Sequence, residues 1–386
     1  MAEWEKIRLG DVCKTNADTY SPKEKWDFAN YLDTGNITNN TIDSIQFIEL
    51  KNMKLPSRAK RKVKTDSIIY STVRPNQRHF GIIKSQPENF LVSTGFVVID
   101  VDTNVLNADF LYYLLMQNTL VDALQAIAEQ STSAYPAIKP SDIENLEIEI
   151  PDLATQKKIS DILSSLDRKI AKNAEINKNL EQQAKAIFKS WFIDFEPFSN
   201  QKPNDWSVST LGNVSIMSAG GDKPQNVSPI KTDLYRYPIY SNGLSDEGLY
   251  GFTDKPKIFE ESVTVSARGT IGFVCLRHTP YVPIVRLVTL IPKTEIISAK
   301  YLYLWLKQLH ITGTGTTQQQ LTVPDFQKTA ILVPSQEIVT LFTATVEPIF
   351  EKIWANQSEN EKLSSLRDIL LPKLMSGELD VSEIDF

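Results

Sequence analysis

The sequence predicts an α+β fold with a pseudo-twofold internal repeat, in which two globular domains of mixed α/β structure alternate with two long helices that form an antiparallel coiled coil. Three observations predict it. Segments of the first half recur in the second half, each copy alternates short β-rich runs with amphipathic segments, and a heptad pattern follows each copy. The predicted domains are residues 1–150 and 199–333, and the predicted helical segments with their linkers are residues 151–198 and 334–386.

The repeat is carried by matched residues at a changing offset. The first set matches at an offset of 202 and comprises Trp4, Leu9, Gly10 and Val12 against Trp206, Leu211, Gly212 and Val214. The segment that begins at Ala108 matches the segment that begins at Ala299 at an offset of 191, and Asp142 matches Asp325 at an offset of 183. Because the second copy loses 19 residues before its helix, the variation lies inside the globular domains.

Within each copy the residue pattern predicts strands and short helices. Runs rich in β-branched residues predict strands at 67–70, 96–101 and 262–266. Residues 146–150 alternate between apolar and acidic, which is typical of a half-buried strand, and Pro151 ends that strand. The segments from Ala108 and Ala299 predict short amphipathic helices.

A heptad pattern predicts each long helix. In the first helix the apolar or small positions are Ile159, Leu163, Leu166, Ile170, Leu180, Ala184, Ile187 and Trp191. Adding 183 to these numbers gives the seam of the second helix, which is Phe342, Val346, Ile349, Ile353, Leu363, Arg367, Leu370 and Leu374. The two seams therefore predict two helices of matching pattern that pack along their length.

Two asparagines interrupt each seam at equivalent positions. A buried Asn costs stability unless it finds a partner, and it thereby fixes the register of a coiled coil. The register hypothesis pairs Asn173 with Asn360 and Asn177 with Asn356 in an antiparallel arrangement. The alternative is that the four side chains lie at the solvated edge of an ordinary bundle.

Composition limits the classes of function. A net charge of −6 and a pI near 5.4 give no overall signal for nucleic acid, so any DNA contact must come from local patches. Cys13 and Cys275 lie in different halves without metal-ligand spacing, and we expect free, reduced thiols. No apolar run is long enough to cross a bilayer, and we expect a cytoplasmic protein.

The sequence lacks the motifs of the enzymes considered. It contains no Asn-Pro-Pro-(Phe/Tyr) methyltransferase motif, no Walker A loop and no HExxH motif, and 313–317 reads as a flexible loop. Pro151 and Asp152 with Asp167 and Lys169 resemble the spacing of a nuclease, but we expect Asp167 and Lys169 to flank the helix and point to solvent. His79, His278 and His310 have no metal or triad spacing. No catalytic or metal site is predicted.

Three helical stretches carry a family resemblance. They are Leu180-Glu-Gln-Gln-Ala-Lys-Ala-Ile-Phe-Lys-Ser-Trp-Phe-Ile-Asp-Phe-Glu-Pro-Phe198, Leu366-Arg-Asp-Ile-Leu-Leu-Pro-Lys-Leu-Met-Ser-Gly-Glu-Leu379 and Pro151-Asp-Leu-Ala-Thr-Gln-Lys-Lys-Ile159. These stretches, and the order domain, helix, domain, helix, resemble the specificity subunit of type I restriction-modification systems.

The resemblance implies a non-catalytic subunit that acts within a larger complex. Each globular domain would be a target recognition domain that reads one half of a bipartite site in double-stranded DNA, and the helices would set the spacing and dock two modification subunits. Those subunits would methylate adenine N6 with S-adenosylmethionine, and restriction subunits would add cleavage that depends on ATP and Mg²⁺. No cofactor is expected in this chain.

The first domain contains two groups of candidate DNA contacts. Residues 51–64 contain seven cationic side chains and no acidic residue, and we expect these cations to contact phosphate. They are Lys51, Lys54, Arg58, Lys60, Arg61, Lys62 and Lys64. The alternative is that the segment is a solvated basic loop. Arg can read guanine, and Asn or Gln can read adenine, through paired hydrogen bonds. The candidate base-reading residues are therefore Arg74, Asn76, Gln77 and Arg78.

In the second domain the loop that matches the Arg74 loop is residues 267–270. The candidate base-reading residues are Arg268, Gln318, Gln319 and Gln320, and the candidate phosphate contacts are Lys255, Lys257, Arg277 and Arg286. Because the globular domains differ while the helices keep one spacing, we expect an asymmetric bipartite target. The alternative is an acidic coiled-coil adaptor whose two domains bind proteins.

Overall fold

The computed structural model describes residues 4–131, 135–313 and 320–381. It divides into two compact units. The first unit consists of Met1–Lys172 with Ser358–Phe386, and the second unit consists of Asn173–Gln357. The two long helices, Leu153–Phe192 and Gln336–Met375, have 40 residues each. Each unit therefore contains one globular domain, one half of the first long helix and one half of the second.

A central four-stranded antiparallel sheet forms the core of each globular domain. In the first unit its strands, in spatial order, are Cys13–Thr15, Phe96–Val101, Ile68–Ser71 and Phe80–Ile82. In the second unit they are Ser215–Ala219, Val288–Pro292, Ser262–Val265 and Val274–Arg277. The order is the same in both, so the repeat seen in the sequence is a repeat of topology.

A two-stranded antiparallel sheet connects the start and the end of each domain. Glu5–Arg8 pairs with Glu147–Ile150, and Ser207–Thr210 pairs with Ala330–Val333. In both units the first residue of the first strand pairs with the last residue of the second strand, Glu5 with Ile150 and Ser207 with Val333. The two sheets therefore have the same register, as the repeat offsets of 202 and 183 predict. Ile148 and Ile150 are buried and Glu147 and Glu149 are exposed, which confirms the predicted alternation.

A second, outer sheet distinguishes the two domains. In the first unit its order is Gln46–Glu49, Phe28–Leu32, Phe90–Ser93 and Ala59–Arg61, and in the second it is Leu249–Thr253, Tyr237–Tyr240 and Val282–Pro283. Both sheets contain one parallel pair, Phe28–Leu32 with Phe90–Ser93 and Tyr237–Tyr240 with Val282–Pro283. The extra strand of the first unit is Ala59–Arg61, which lies in the basic segment formed by residues 51–64. A small hairpin, Ile37–Thr38 with Thr41–Ile42, also belongs to that unit.

Short helices complete the domains. The α-helices of the first domain are Leu9–Val12, Ala108–Leu115, Asn118–Glu129 and Pro140–Glu144, and those of the second are Leu211–Val214, Ala299–Gln308 and Val323–Phe326. The 3-10 turns are Pro22–Glu24, Thr34–Asn36, Pro75–Gln77, Glu196–Phe198 and Ser245–Gly248. Asn107 and Ser298, which are equivalent in the repeat, cap the helices that follow them by accepting the N–H of Phe110 and Tyr301.

The long helices run antiparallel within each unit. In the first unit Arg367 contacts Asp167 at 2.8 Å, and Asn360 Nδ2 donates to the carbonyl of Ile170 at 3.2 Å. In the second unit Asn177 Nδ2 donates to the carbonyl of Ile353 at 3.1 Å. The ring of Phe342 lies 5.9 Å from that of Phe188, between centroids. In these contacts the residue number increases along the first helix while it decreases along the second, as antiparallel packing requires.

A second buried stripe lies beside the predicted seam of the first long helix, within the second unit, and packs on the globular domain as well as on the other helix. Phe188 and Phe192 are buried, whereas the seam residues Ile187 and Trp191 are only half-buried. The ring of Phe192 lies 4.9 Å from that of Tyr301 and 5.6 Å from that of Trp206. The heptad pattern predicted the helix pairing but not this second stripe, because an additional apolar face is needed wherever a domain covers the helix.

The nuclease-like spacing around Asp167 is structural. The expectation that this carboxylate points to solvent is wrong, because Asp167 accepts hydrogen bonds from the Tyr113 hydroxyl at 2.7 Å and from Arg367 at 2.8 Å. Burial lowers the pKa of Arg367, but the hydrogen bonds to Asp167 and Asp368 outweigh it and raise that pKa. The Asp167 carboxylate is occupied in holding the two helices to the domain.

Within the described ranges, none of the helices combines the length and the apolar composition needed to cross a membrane.

Candidate nucleic-acid interface

The first candidate base-reading loop is a tight 3-10 turn at the end of a central strand. Arg74 and Arg78 flank Pro75–Gln77 and have φ angles of 49° and 57°, in the left-handed region. The turn closes through hydrogen bonds from Gln77 N–H to the Arg74 carbonyl at 2.9 Å and from Arg78 N–H to the Pro75 carbonyl at 3.0 Å. Two non-glycine residues in this region indicate a backbone that its surroundings hold in place.

Arg78 anchors this loop. Its guanidinium donates to the carbonyl of Met116 at 3.0 Å and to Asn118 Oδ1, at the junction of two helices. Two of the three guanidinium nitrogens of Arg78 are therefore engaged inside the domain, and its assignment as a base-reading residue stays a prediction. Arg74, Asn76 and Gln77 are exposed and remain candidates.

A second loop meets the first one. Arg74 N–H donates to the carbonyl of Pro136 at 3.0 Å, and Ile138 N–H donates to the carbonyl of Thr72 at 2.8 Å. The ring of Tyr135, which is 60% exposed, lies 5.2 Å from the Arg74 guanidinium carbon. Sequence reasoning missed Tyr135. Its proximity to Pro136 and to the repeat-matched residue Ile138 was the available signal.

The second unit brings two loops together in the same way. Leu321, which matches Ile138, donates its N–H to the carbonyl of Ala267 at 3.0 Å. Arg268 is exposed, and its guanidinium donates to Gln320 Oε1 at 3.0 Å. Two candidates that lie far apart in the sequence thus share one surface. Gln318 and Gln319 lie outside the described residues.

The basic segment of the first unit is partly neutralised by carboxylates from elsewhere in the chain. Lys62 contacts Glu24 at 2.5 Å and is only 24% exposed. Lys51 lies 3.6 Å from Asp27, and the partner carboxylate of Lys64 is Asp100, at 3.8 Å. The absence of acidic residues within the segment did not reveal these pairs, because the carboxylates come from neighbouring strands and turns.

Three cations of the basic segment are exposed and form no ion pair with any residue in the described ranges. They are Lys54, Arg58 and Lys60. Arg61 is half-buried, its Nε makes no hydrogen bond within the described ranges, and burial lowers its pKa. The surface best suited to phosphate is therefore smaller than the sequence predicts.

In the second unit the candidate cations Lys255 and Lys257 are exposed and line an open cleft of about 500 Å³. Lys223, which sequence reasoning did not select, lines the same cleft. Lys255 and Lys257 lie in the connection between an outer-sheet strand and a central strand, and the basic segment of the first unit occupies the equivalent connection. Arg286 is exposed, with a φ of 61°.

Arg277 is a buried structural residue, and its assignment as a phosphate contact is wrong. It is 4% exposed and donates to Thr264 Oγ1 at 3.0 Å, to Glu247 Oε2 at 2.9 Å and to the Glu247 carbonyl at 2.7 Å. Its guanidinium carbon also lies 3.6 Å from the centroid of the Tyr240 ring. Its donors are committed inside the domain, so a phosphate would find them occupied.

The seam asparagines lie where the register hypothesis needs them in the second unit. Asn356 Nδ2 donates to Asn177 Oδ1 at 2.8 Å. Asn173 and Asn356 are each 1% exposed, which argues against a solvated edge for these two side chains. Asn173 and Asn360 fall in different units, and their pairing stays a prediction.

The remaining titratable groups fit structural roles. Burial raises the pKa of Cys13 to about 11 and that of Cys275 to about 12, and both thiols are free. His278 stacks on Trp354 with ring centroids 4.1 Å apart, and His79 Nδ1 lies 2.6 Å from the Ile37 carbonyl. Within the described residues, no group of three or more His, Cys, Asp or Glu side chains could hold a metal ion.

Comparison with known proteins places the chain in a family. A family model described as the type I restriction modification DNA specificity domain matches residues 1–182 and again 203–363. The HindI specificity subunit of Haemophilus influenzae is 28% identical, with 98% of this chain and 100% of that protein covered. The MjaIX specificity subunit of Methanocaldococcus jannaschii is 30% identical, with 72% of this chain and 70% of that protein covered.

The fold also matches a solved structure. The crystal structure of the S subunit of a type I restriction-modification system from M. genitalium superposes with a TM-score of 0.59 at 17% identity, with 97% of this chain and 96% of that chain covered. Because the family model matches two stretches that together make up more than half of the chain, the chain belongs to the type I restriction-modification DNA specificity family. It is a specificity subunit, which is a non-catalytic component of such systems.

Proposed function

We propose that each globular domain reads one half of an asymmetric bipartite site in double-stranded DNA. The observation that carries this proposal is the contrast between a shared frame and different loops. The central sheet has one strand order in both units, while the loop that follows the same strand carries Arg74, Asn76 and Gln77 in one unit and Arg268 with Gly269 in the other. Base edges are read by such side chains, so different loops favour different half-sites.

Phosphate contact is proposed for the exposed cations of the equivalent connections. Lys54, Arg58 and Lys60 serve the first domain, and Lys255 and Lys257 serve the second. The same topological position carries positive charge in both copies of an acidic protein, which supports an anion-binding role. Phosphate contacts position a domain on DNA and add no sequence preference.

For the long helices we propose the role that the family resemblance implies. They set the gap between the half-sites and dock two modification subunits, which methylate adenine N6. In this proposal S-adenosylmethionine, ATP and Mg²⁺ are held by modification and restriction subunits, and this chain holds no cofactor. The hydrogen bond between half-buried Asn177 and buried Asn356 supports a fixed register for the helices, because a shift would leave the Asn356 amide unpaired.

Methylation mapping of DNA tests the proposal. The full chain is co-expressed with a cognate modification subunit, and methylated adenines are mapped by sequencing. The expected result is one motif with two different half-sites at a fixed gap, each containing a methylated adenine. A palindromic motif would contradict the asymmetry. A chain that supports no sequence-dependent methylation and has no DNA affinity in the complex would favour the protein-binding adaptor instead.

A further inference from the structure

In the first unit the side chain of Arg74 rests on an aromatic ring. Its guanidinium carbon lies 5.2 Å from the centroid of the Tyr135 ring, within the range of a cation–π contact. Both residues are exposed, and Tyr135 is 60% exposed. Arg side chains on a surface lose rotamer entropy when they bind, so a ring that already holds one lowers that cost.

The backbone beneath this pair is fixed from both sides. Arg74 has a φ of 49° and donates its N–H to the Pro136 carbonyl at 3.0 Å, which ties the two loops together next to Tyr135. Asn76 N–H reaches Gln125 Oε1 at 3.3 Å, and Arg78 anchors the far end of the turn. A strained residue that its surroundings hold in place is a reason to look for a function at that residue.

The N–H donors of the Arg74 guanidinium are available for a ligand. A guanidinium carries five N–H donors in its plane, and among the described contacts none of those of Arg74 is used in a hydrogen bond or an ion pair. Among the described contacts, Arg74 has no carboxylate partner. The in-plane donors can therefore form the paired hydrogen bonds that distinguish guanine, through its O6 and N7 acceptors, from the other bases.

We propose that Tyr135 is a positioning residue that holds Arg74 to read one guanine in the half-site of the first unit. This inference rests on the proposed DNA-reading function and adds to it a residue and a base. A phosphate contact by Arg74 is the competing role. The two roles differ in outcome, since a phosphate contact changes affinity for every sequence and a base contact changes preference at one position.

The test uses the full chain in complex with its modification subunits. Affinity for the mapped site is compared with affinity for sites that carry each substitution, one base pair at a time. In the chain with native Arg74 and Tyr135, one G·C pair of one half-site should be discriminated about tenfold to a hundredfold from the other pairs. Arg74→Lys keeps the charge but removes paired bonding, and it should abolish most of that discrimination.

The Tyr135 variants test the positioning role. Tyr135→Leu should weaken discrimination at the same G·C pair, and Tyr135→Phe should retain it because the ring face remains. Arg236→Lys serves as a matched control, since Arg236 lies 5.8 Å from the ring of Tyr237 in the second unit. It should leave that G·C pair unaffected.

Three results would overturn the inference. If Arg74→Lys leaves the discrimination at the G·C pair unchanged, Arg74 does not contact that base. If Arg74→Lys lowers the affinity equally for all sequences, Arg74 contacts phosphate. If Arg74→Lys loses the discrimination but Tyr135→Leu retains it, Tyr135 does not position Arg74. Failure of the unsubstituted chain to discriminate any sequence would instead overturn the proposed function itself, so the two failures are distinguishable.

Discussion

Removal of Arg367 tests a partly buried ion pair between the long helices of the first unit. Arg367→Ala leaves the Asp167 carboxylate without its cation while the Tyr113 hydroxyl still donates to it. The Arg367 and Asp167 side chains are 22% and 30% exposed. Breaking a fully buried pair costs about 3–5 kcal/mol, and partial exposure reduces that figure to about 2–3 kcal/mol for this pair.

The repeat supplies a repaired variant. Adding the repeat offset to Tyr113 and Asp167 leads to Leu304 and Phe350, and subtracting 183 from the number of Arg367 leads to Ala184. All three residues are buried in the second unit. The triple variant Tyr113→Leu, Asp167→Phe, Arg367→Ala transfers this apolar arrangement to the first unit. It should recover most of the stability that Arg367→Ala loses, because replacement of a buried ion pair by packed apolar groups is often neutral or better.

The measurement must report on the first unit alone. Hydrogen exchange of peptides from residues 153–172 and 358–375 follows its helices separately from the second unit, and thermal unfolding gives an independent value. A loss of about 2–3 kcal/mol should lower the melting temperature of a unit of this size by about 4–12 °C. Lys169→Ala is the matched control, because its pair with Glu359 is exposed and should contribute at most about 1 kcal/mol.

Two outcomes would refute the reasoning. Arg367→Ala with the same exchange rates as the unsubstituted chain would mean that solvent already screens the carboxylate. A triple variant that is less stable than Arg367→Ala would mean that the two units do not share packing geometry at these positions.

Three further predictions concern charge and titration. In binding titrations, Lys60→Gln should weaken binding to all DNA sequences and reduce the slope of log K against the logarithm of the salt concentration by about one. Lys62 lies two residues away but is ion-paired with Glu24, so Lys62→Gln should leave that slope unchanged. Burial, with Lys300 and Arg277 nearby, lowers the pKa of His278. The resulting stability is present above the unfolded pKa of about 6.5 and is lost as pH falls, so His278→Gln should flatten the acid limb of a melting-temperature profile. Cys13 and Cys275 have raised pKa values and should react slowly with a disulfide reagent at pH 8 until denaturant is added, and rapid labelling of the native chain would contradict the raised pKa values.

Local patterns predicted much of the fold. The strand Phe96–Val101 and the starts of the helices at Ala108 and Ala299 lie where the sequence predicts them. Hydrophobic periodicity and helix capping depend on residues that are close in the sequence. The antiparallel pairing of the helices followed from the repeat arithmetic. The outer sheets were not predicted, because their short strands pair across distant segments and one pair is parallel.

The candidate interface was predicted less well, for a physical reason. Arg277 and Arg78 have the same chemistry as Arg74, and only tertiary packing decides that the first two are committed inside the domain while the third is exposed. The pairing of Lys62 with Glu24 likewise depends on neighbouring chain segments. A count of cations along the sequence therefore overestimates the surface available to phosphate.

The division of the chain into units has a consequence for its synthesis. The second unit, Asn173–Gln357, is continuous, whereas the core of the first unit includes Leu374, Met375 and Val381. Trp4 also packs beside Gly377. On a ribosome, the unit whose domain emerges first therefore waits for the last segments before its core can close, while the unit that emerges later can finish earlier. Until residues 358–381 have been synthesised, the apolar groups around Trp4 lack the side chains that cover them in the folded unit.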